Sequence, residues 1–99
     1  GKAANVARVA ATLGARSVLI HPLGGESGDL VARLLAADGV VQEVVRDDDA
    51  PTRTCTTLLS GVATELVEEA PAVSAETLSA LRARALARLG DAAVLCLCG

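Results

Sequence analysis

Apolar positions recur at helical spacing in three stretches of the chain, with short extended runs between them. Val6, Val9, Ala10 and Leu13 mark one face of a helix from about Lys2 to Leu13, which Gly14 ends in the position of a C-cap. Ser17-Val18-Leu19-Ile20 reads as a strand, broken by Pro22 and the Gly24-Gly25 pair before Ser27 and Asp29 open a second helix. Leu30, Val31, Leu34 and Leu35 form the stripe of that helix, Asp38-Gly39 closes it, and Val40 to Val45 is the next strand. Thr54 to Leu59 and Val62 to Glu68 flank Ser60-Gly61 and read as a β-hairpin. Ser74 caps a third helix carrying Leu78, Leu81, Ala85, Leu86 and Leu89, and Gly90 stops it. The continuous apolar run from Ala92 to Cys98 has the signature of a strand covered on both faces. This order predicts an α/β fold with a mostly parallel sheet, helices on its faces and the hairpin as an excursion.

Composition narrows the picture. The 99 residues suffice for one small domain, and with Phe, Trp, Tyr and Met all absent its core must be filled by Ala, Val and Leu. Without aromatic rings there is no base-stacking platform, and a net charge of -3 with no basic cluster argues against nucleic acid as a partner. No apolar stretch approaches the roughly 20 residues of a membrane span, and no signal-peptide pattern is present. The chain begins at Gly1 without Met and ends on an apolar stretch, so it reads as a piece of something larger, from which a removed leader would leave no trace. Three cysteines cannot all pair within one chain, which fits a reducing compartment and a cytoplasmic setting. Cys55, Cys96 and Cys98 read first as buried structural thiols; a metal or redox role for Cys96 and Cys98 would need further ligands such as Cys55 and His21.

The candidate chemistry is sparse. Gly1-Lys2-Ala3-Ala4-Asn5 invites comparison with a phosphate-binding P-loop, but Ala3 stands where that motif needs Ser or Thr. Small residues at a helix start still let a ligand approach the backbone, leaving Lys2 and Asn5 either as hydroxyl or phosphate binders or as a solvated Lys and a capping Asn. Gly24-Gly25-Glu26-Ser27-Gly28-Asp29 either cradles an anion or permits tight packing, and it lacks the G-x-G-x-x-G spacing of a dinucleotide site. Three consecutive aspartates within Arg46 to Pro51 read as a solvated loop, and Arg82, Arg84 and Arg88 as a solvated helix face.

Taken jointly, Gly1, Ala3, Asn5, Ala7, Gly14 and Gly24 are spaced as in the first signature of the PfkB carbohydrate kinases, in the ribokinase-like superfamily, which the chain resembles over nearly its whole length. Pro51 to Leu59 followed by Ala63-Thr64-Glu65-Leu66 is similar to the phosphofructokinase and tagatose-6-phosphate kinase branch. Asp91 through Gly99 looks like the strand leading into that branch's Gly-Ser-Leu-Pro turn, with Gly99 its first residue. Ala3, where many relatives have Gly, and Cys96-Leu97-Cys98, where a shorter run is usual, depart from the pattern.

The resemblance implies a partial ribokinase-like three-layer α/β sandwich, with residues 1–99 as the N-terminal, sugar-binding part of a kinase domain. It implies transfer of the γ-phosphoryl group of ATP to a sugar or sugar phosphate, 1-phosphofructokinase-like, with ATP and Mg2+ bound mainly by a C-terminal half outside these residues. Substrate binding would fall to Gly1, Lys2, Asn5 and Arg53. Lys2 and Asn5 would meet sugar hydroxyls, Gly1 would leave room for them, and Arg53 would grip the phosphate already on the substrate through a guanidinium suited to paired hydrogen bonds. Arg53 read without the family is a strand-edge arginine pairing with Asp47 to Asp49. The four residues are expected around a single hollow, with the hairpin helping to cover the sugar. The family's catalytic aspartate lies in a Gly-Ala-Gly-Asp motif that these residues do not contain, so no catalytic residue and no turnover are expected of them alone. A sugar phosphate is the expected small-molecule partner, with a homodimer of the full-length protein and no membrane partner. A noncatalytic sugar-phosphate-binding or regulatory module is the alternative.

Overall fold

The computed structural model describes residues 1–98, and the turn expected at Gly99 lies outside them. Seven elements follow in order: α1 (Lys2–Thr12), β1 (Val18–Leu23), α2 (Gly25–Ala37), β2 (Val41–Arg46), β3 (Cys55–Ser60), β4 (Val62–Val67) and α3 (Ala75–Leu89). β1 and β2 pair in parallel from Val18↔Val41 to Leu23↔Arg46, with α2 as their crossover, while β3 and β4 form a separate antiparallel ribbon.

Alternation along the parallel strands creates two faces. On one, Leu19 of β1 packs with Ala7, Leu35 and Val40, and Ala3, Ala4 and Val31 close around them. Gln42 on the same face donates from Nε2 to the Ala32 carbonyl of α2 at 2.7 Å, and Arg46 pairs with Asp29 of α2. On the opposite face Glu43 accepts from Nε of Arg88 in α3 at 2.7 Å. The fold is therefore three layered, with α1 and α2 on one side of the sheet and α3 on the other. Ala and small aliphatic side chains make the core, as the lack of aromatic rings requires.

Local signals place most of these elements, and the departures have nonlocal causes. β1 runs on through His21, Pro22 and Leu23. Pro22 lacks an N–H to donate, but the pairing of this strand with β2 leaves its other edge free to accommodate it. α2 starts at Gly25 with Gly24 as its N-cap, and neither Ser27 nor Asp29 opens it. Arg82, Arg84 and Arg88 lie on an exposed face, as expected, and two of them also reach the sheet: Arg84 Nη1 donates to the Val44 carbonyl at 2.7 Å, and Arg88 holds Glu43. The run from Ala92 to Cys98 is irregular and exposed, with Val94 and Leu97 about four-fifths open to solvent, in place of the covered strand that its composition predicts. An extended run becomes a strand only beside a partner, and among the described residues the only strand beside β1 is β2. The three cysteines are likewise exposed and free, which corrects the expectation of buried thiols. No helix among the described residues is long and apolar enough to cross a membrane.

The aspartates after β2 tie three elements together. Asp47 is buried and accepts from the Thr77 hydroxyl in the first turn of α3 at 2.7 Å. That donation, with further ones from Ser74 and the Ala50 backbone, holds the Asp47 carboxyl below its ordinary 3.8 against the opposing effect of burial. Asp48 accepts from the Gly25 N–H at 3.1 Å and from Arg46 Nε at 2.9 Å, and its carboxyl is also lowered, first by the Gly25 N–H. Gly24 lies where this connection crosses the start of α2, and a Cβ there would stand 1.8 Å from the Asp47 carbonyl oxygen.

This junction sets the response to mutation and to acid. Gly24→Ala forces the Asp47 backbone to move and is expected to destabilise the fold by about 3 kcal/mol in urea unfolding. Because the Asp47 carboxyl is lowered in the folded state, its contribution is complete well above 3.8 and is lost as the pH falls through that value toward the lower folded one. Asp47→Asn keeps an acceptor for Thr77 but cannot titrate, so the thermal midpoint of this variant should fall less than that of the wild type on acidification from about pH 5 to about pH 3.

Candidate functional site

A glycine-rich start lets the connection after β2 lie directly on the first turn of α2. The Gly24 N–H donates to Thr52 Oγ1 at 3.1 Å, the Thr52 N–H donates back to the Gly24 carbonyl at 2.9 Å, and the Ser27 hydroxyl donates to the Thr52 carbonyl. Gly25 takes φ +65, a left-handed value that suits glycine, and aims its N–H at Asp48. The N-cap amide of Gly24 and the first amide of α2, at Gly25, thus meet protein oxygens. The close approach at Gly24, where a Cβ would stand 1.8 Å from the Asp47 carbonyl oxygen, is the tight packing that one reading of Gly24 to Asp29 expects.

Beyond Thr52 the chain opens into a cavity of about 470 Å³, a size suited to a small molecule. One wall is Ser27 with Pro51 to Thr54, and the other is Glu68 to Pro71, where the chain leaves β4. Arg53 stands in this wall. Its Nη1 donates to the Glu68 carbonyl at 3.3 Å, while the Glu68 carboxylate accepts from the Thr54 N–H at 2.8 Å. The expected pairing of Arg53 with Asp47 to Asp49 is not what is seen, since Asp47 turns to Thr77 and Asp48 to Gly25 and Arg46. Among the described residues the guanidinium therefore meets a neutral carbonyl at long range, and its charge stays available to an anion.

Gly1, Lys2 and Asn5 stand together at the start of α1, where the Asn5 N–H donates to the Gly1 carbonyl at 3.3 Å. None of the three lines the Arg53 cavity. Burial holds the imidazole of His21, in the second half of β1, below the ordinary 6.5, against the raising effect of the 3.1 Å hydrogen bond with Gln42 Oε1. The short turn between Thr12 and Val18 sends β1 back along α1, with Ala4 and Ala7 packed beside Leu19. The start of α1 thus lies toward the carboxyl end of β1, the end from which the chain enters Gly24 and the cavity wall. In open α/β sheets that end is where ligands gather.

Four residues of this region escape a reading by motif: Ser27, Asp48, Thr52 and Glu68. The one sequence signal for them is indirect. A helix that begins Gly-Gly has no side-chain cap of its own, so its amides must find oxygens elsewhere, and Asp48 and Thr52 supply them to Gly25 and Gly24.

Comparisons with known proteins agree with the fold. The model of the pfkB family of carbohydrate kinases matches residues 1–99. A proposed phosphofructokinase from Staphylococcus aureus superposes with a TM-score of 0.79 at 26% identity, over 85% of this chain and 27% of that one. Phosphofructokinase-2 from Escherichia coli, in complex with fructose-6-phosphate, gives 0.75 at 29% identity over 84% of this chain and 28% of its own. The same enzyme in complex with substrates and products gives 0.76 at 29% identity, with the same coverage. The chain thus spans a little over a quarter of the length of these structures. No curated protein sequence matches it significantly. Layered α/β architecture, a ribbon set apart from a parallel sheet and a family match running end to end converge on one assignment: the chain belongs to the pfkB family of carbohydrate kinases.

Proposed function

We propose that the protein carrying this chain transfers the γ-phosphoryl group of ATP to a hydroxyl of a sugar phosphate, in the manner of a 1-phosphofructokinase, and that this chain supplies part of the acceptor site. The observation that carries the reading is Arg53: a guanidinium in the wall of a small-molecule-sized cavity, held by a single long bond to a carbonyl. In this reading Arg53 grips the phosphate already present on the acceptor, and Lys2 and Asn5, with Gly1 leaving room, meet hydroxyls of the sugar. Family membership and the fructose-6-phosphate complex of Escherichia coli phosphofructokinase-2 support it. The exposed free thiols suit a reducing, cytoplasmic setting.

Phosphoryl transfer depends on positioning and on charge stabilisation, with a base within reach of the acceptor hydroxyl. This chain's part is positioning. Among the described residues no group of three or more His, Cys, Asp or Glu side chains comes together to hold a metal ion. Of the two carboxylates that line the cavity, Glu68 accepts from the Thr54 N–H, and Glu69 stands beside it with no third metal-ligating group among the described residues. These residues therefore do not form a Mg2+ site, and no step is assigned to them through ATP or Mg2+.

An acceptor screen on the full-length product tests the reading, comparing fructose 1-phosphate, fructose 6-phosphate, tagatose 6-phosphate and unphosphorylated sugars. A hydrogen bond to a charged group contributes about 1.5 to 3 kcal/mol, so Arg53→Ala should raise KM for the preferred sugar phosphate by roughly tenfold to a hundredfold and leave unphosphorylated sugars nearly unchanged. Equal losses on both classes of acceptor would remove the assignment of Arg53 to phosphate.

A further inference from the structure

Resting on the phosphate-binding reading of Arg53, we propose that Thr52 is a positioning residue for Arg53 and a determinant of selectivity for phosphorylated acceptors, with the glycine-rich start of α2 as its seat. Thr52 commits its hydroxyl oxygen, its N–H and its carbonyl to that seat. Its hydroxyl oxygen accepts from the Gly24 N–H at 3.1 Å, its own N–H donates to the Gly24 carbonyl at 2.9 Å, and its carbonyl accepts from the Ser27 hydroxyl. Gly28 completes the seat, because a Cβ there would lie 3.1 Å from Thr52 Oγ1. The residue before Arg53 is thereby fixed to the end of a helix, and the residue after it, Thr54, is fixed through its N–H to Glu68. Arg53 is thus held by its backbone on both sides while its guanidinium makes one bond of 3.3 Å. A group so placed needs little reordering to meet a ligand, and reduced ordering cost is what preorganisation contributes to affinity. The Gly24 to Asp29 motif thereby gains a function: it aims the residue that meets the ligand's phosphate.

The test pairs two near-isosteric variants in the full-length product, Thr52→Val and Thr52→Ser. Valine keeps the shape and loses the oxygen that accepts from Gly24, whereas serine keeps the oxygen. Thr52→Val should raise KM for the preferred sugar phosphate about fivefold, the size expected of one lost hydrogen bond, and by clearly more than it raises KM for an unphosphorylated sugar. Thr52→Ser should restore the wild-type KM, and Thr52→Val should have no further effect when combined with Arg53→Ala. Ser27→Ala, which removes the donor to the Thr52 carbonyl, should shift the same KM in the same direction and serves if Thr52→Val fails to fold. A wild-type KM in both Thr52→Val and Ser27→Ala, or an equal rise on phosphorylated and unphosphorylated acceptors, would overturn the proposal. If Arg53→Ala selectively impairs sugar phosphates while these variants do not, only the role of Thr52 falls; if Arg53→Ala shows no selectivity, the phosphate reading itself has failed.

Discussion

The close approach of the β2–β3 connection to the first turn of α2 is the constraint on which the remaining geometry depends. Two backbones can lie this near only where one lacks a side chain, and Gly24 meets that condition against the carbonyl of Asp47. Once the two segments touch, each supplies what the other lacks. The uncapped amides of α2 receive the Asp48 carboxylate and the Thr52 hydroxyl, and the connection gains a rigid support. Asp47 then reaches across to Thr77, so α2, the end of β2 and the start of α3 meet through a short stretch of chain.

Such polar ties matter more here than in a domain with a larger core. The buried apolar side chains are small, drawn from Ala, Leu and Val, and much of the remaining apolar surface of the helices stays open. The layers are joined by Gln42 to Ala32 on one face and by Arg84 and Arg88 to β2 on the other. Exposed ion pairs such as Arg8 with Asp38 contribute little to stability. The buried Asp47 carboxylate is different, because a charge away from water must keep its hydrogen-bond donors.

What can be read from the residues is what depends on near neighbours. The Ser74 hydroxyl accepting from the Thr77 N–H, the stop at Gly14 and the turn at Gly61 all involve contacts within a few positions, and α1, α3 and the hairpin fall where such signals place them. The family spacing from Gly1 to Gly24 is legible for the same reason, as a string of fixed intervals. Arg84 and Arg88 escape a local reading because their partners in β2 lie 40 and 45 positions away, and the aspartates because Thr77 lies 30 positions from Asp47. Ala92 to Cys98 has the composition of a strand, but strand formation needs an adjoining edge, which composition does not report. Arg53 stands out by its place in the family motif, whereas the contacts that fix the backbone beside it, shared between residues 24 to 28 and 47 to 52, do not show in the sequence.

The ribbon of β3 and β4 is exposed along its full length on both faces and extends about 20 Å from its root by the rise of its strands. Only its base joins the rest of the molecule, and that base consists of Thr54 and Glu68, which also stand in the cavity wall. Among the described residues it therefore projects as an arm rooted in one side of the ligand-sized hollow, so the register of the hairpin sets the spacing between Thr54 and Glu68 in that wall.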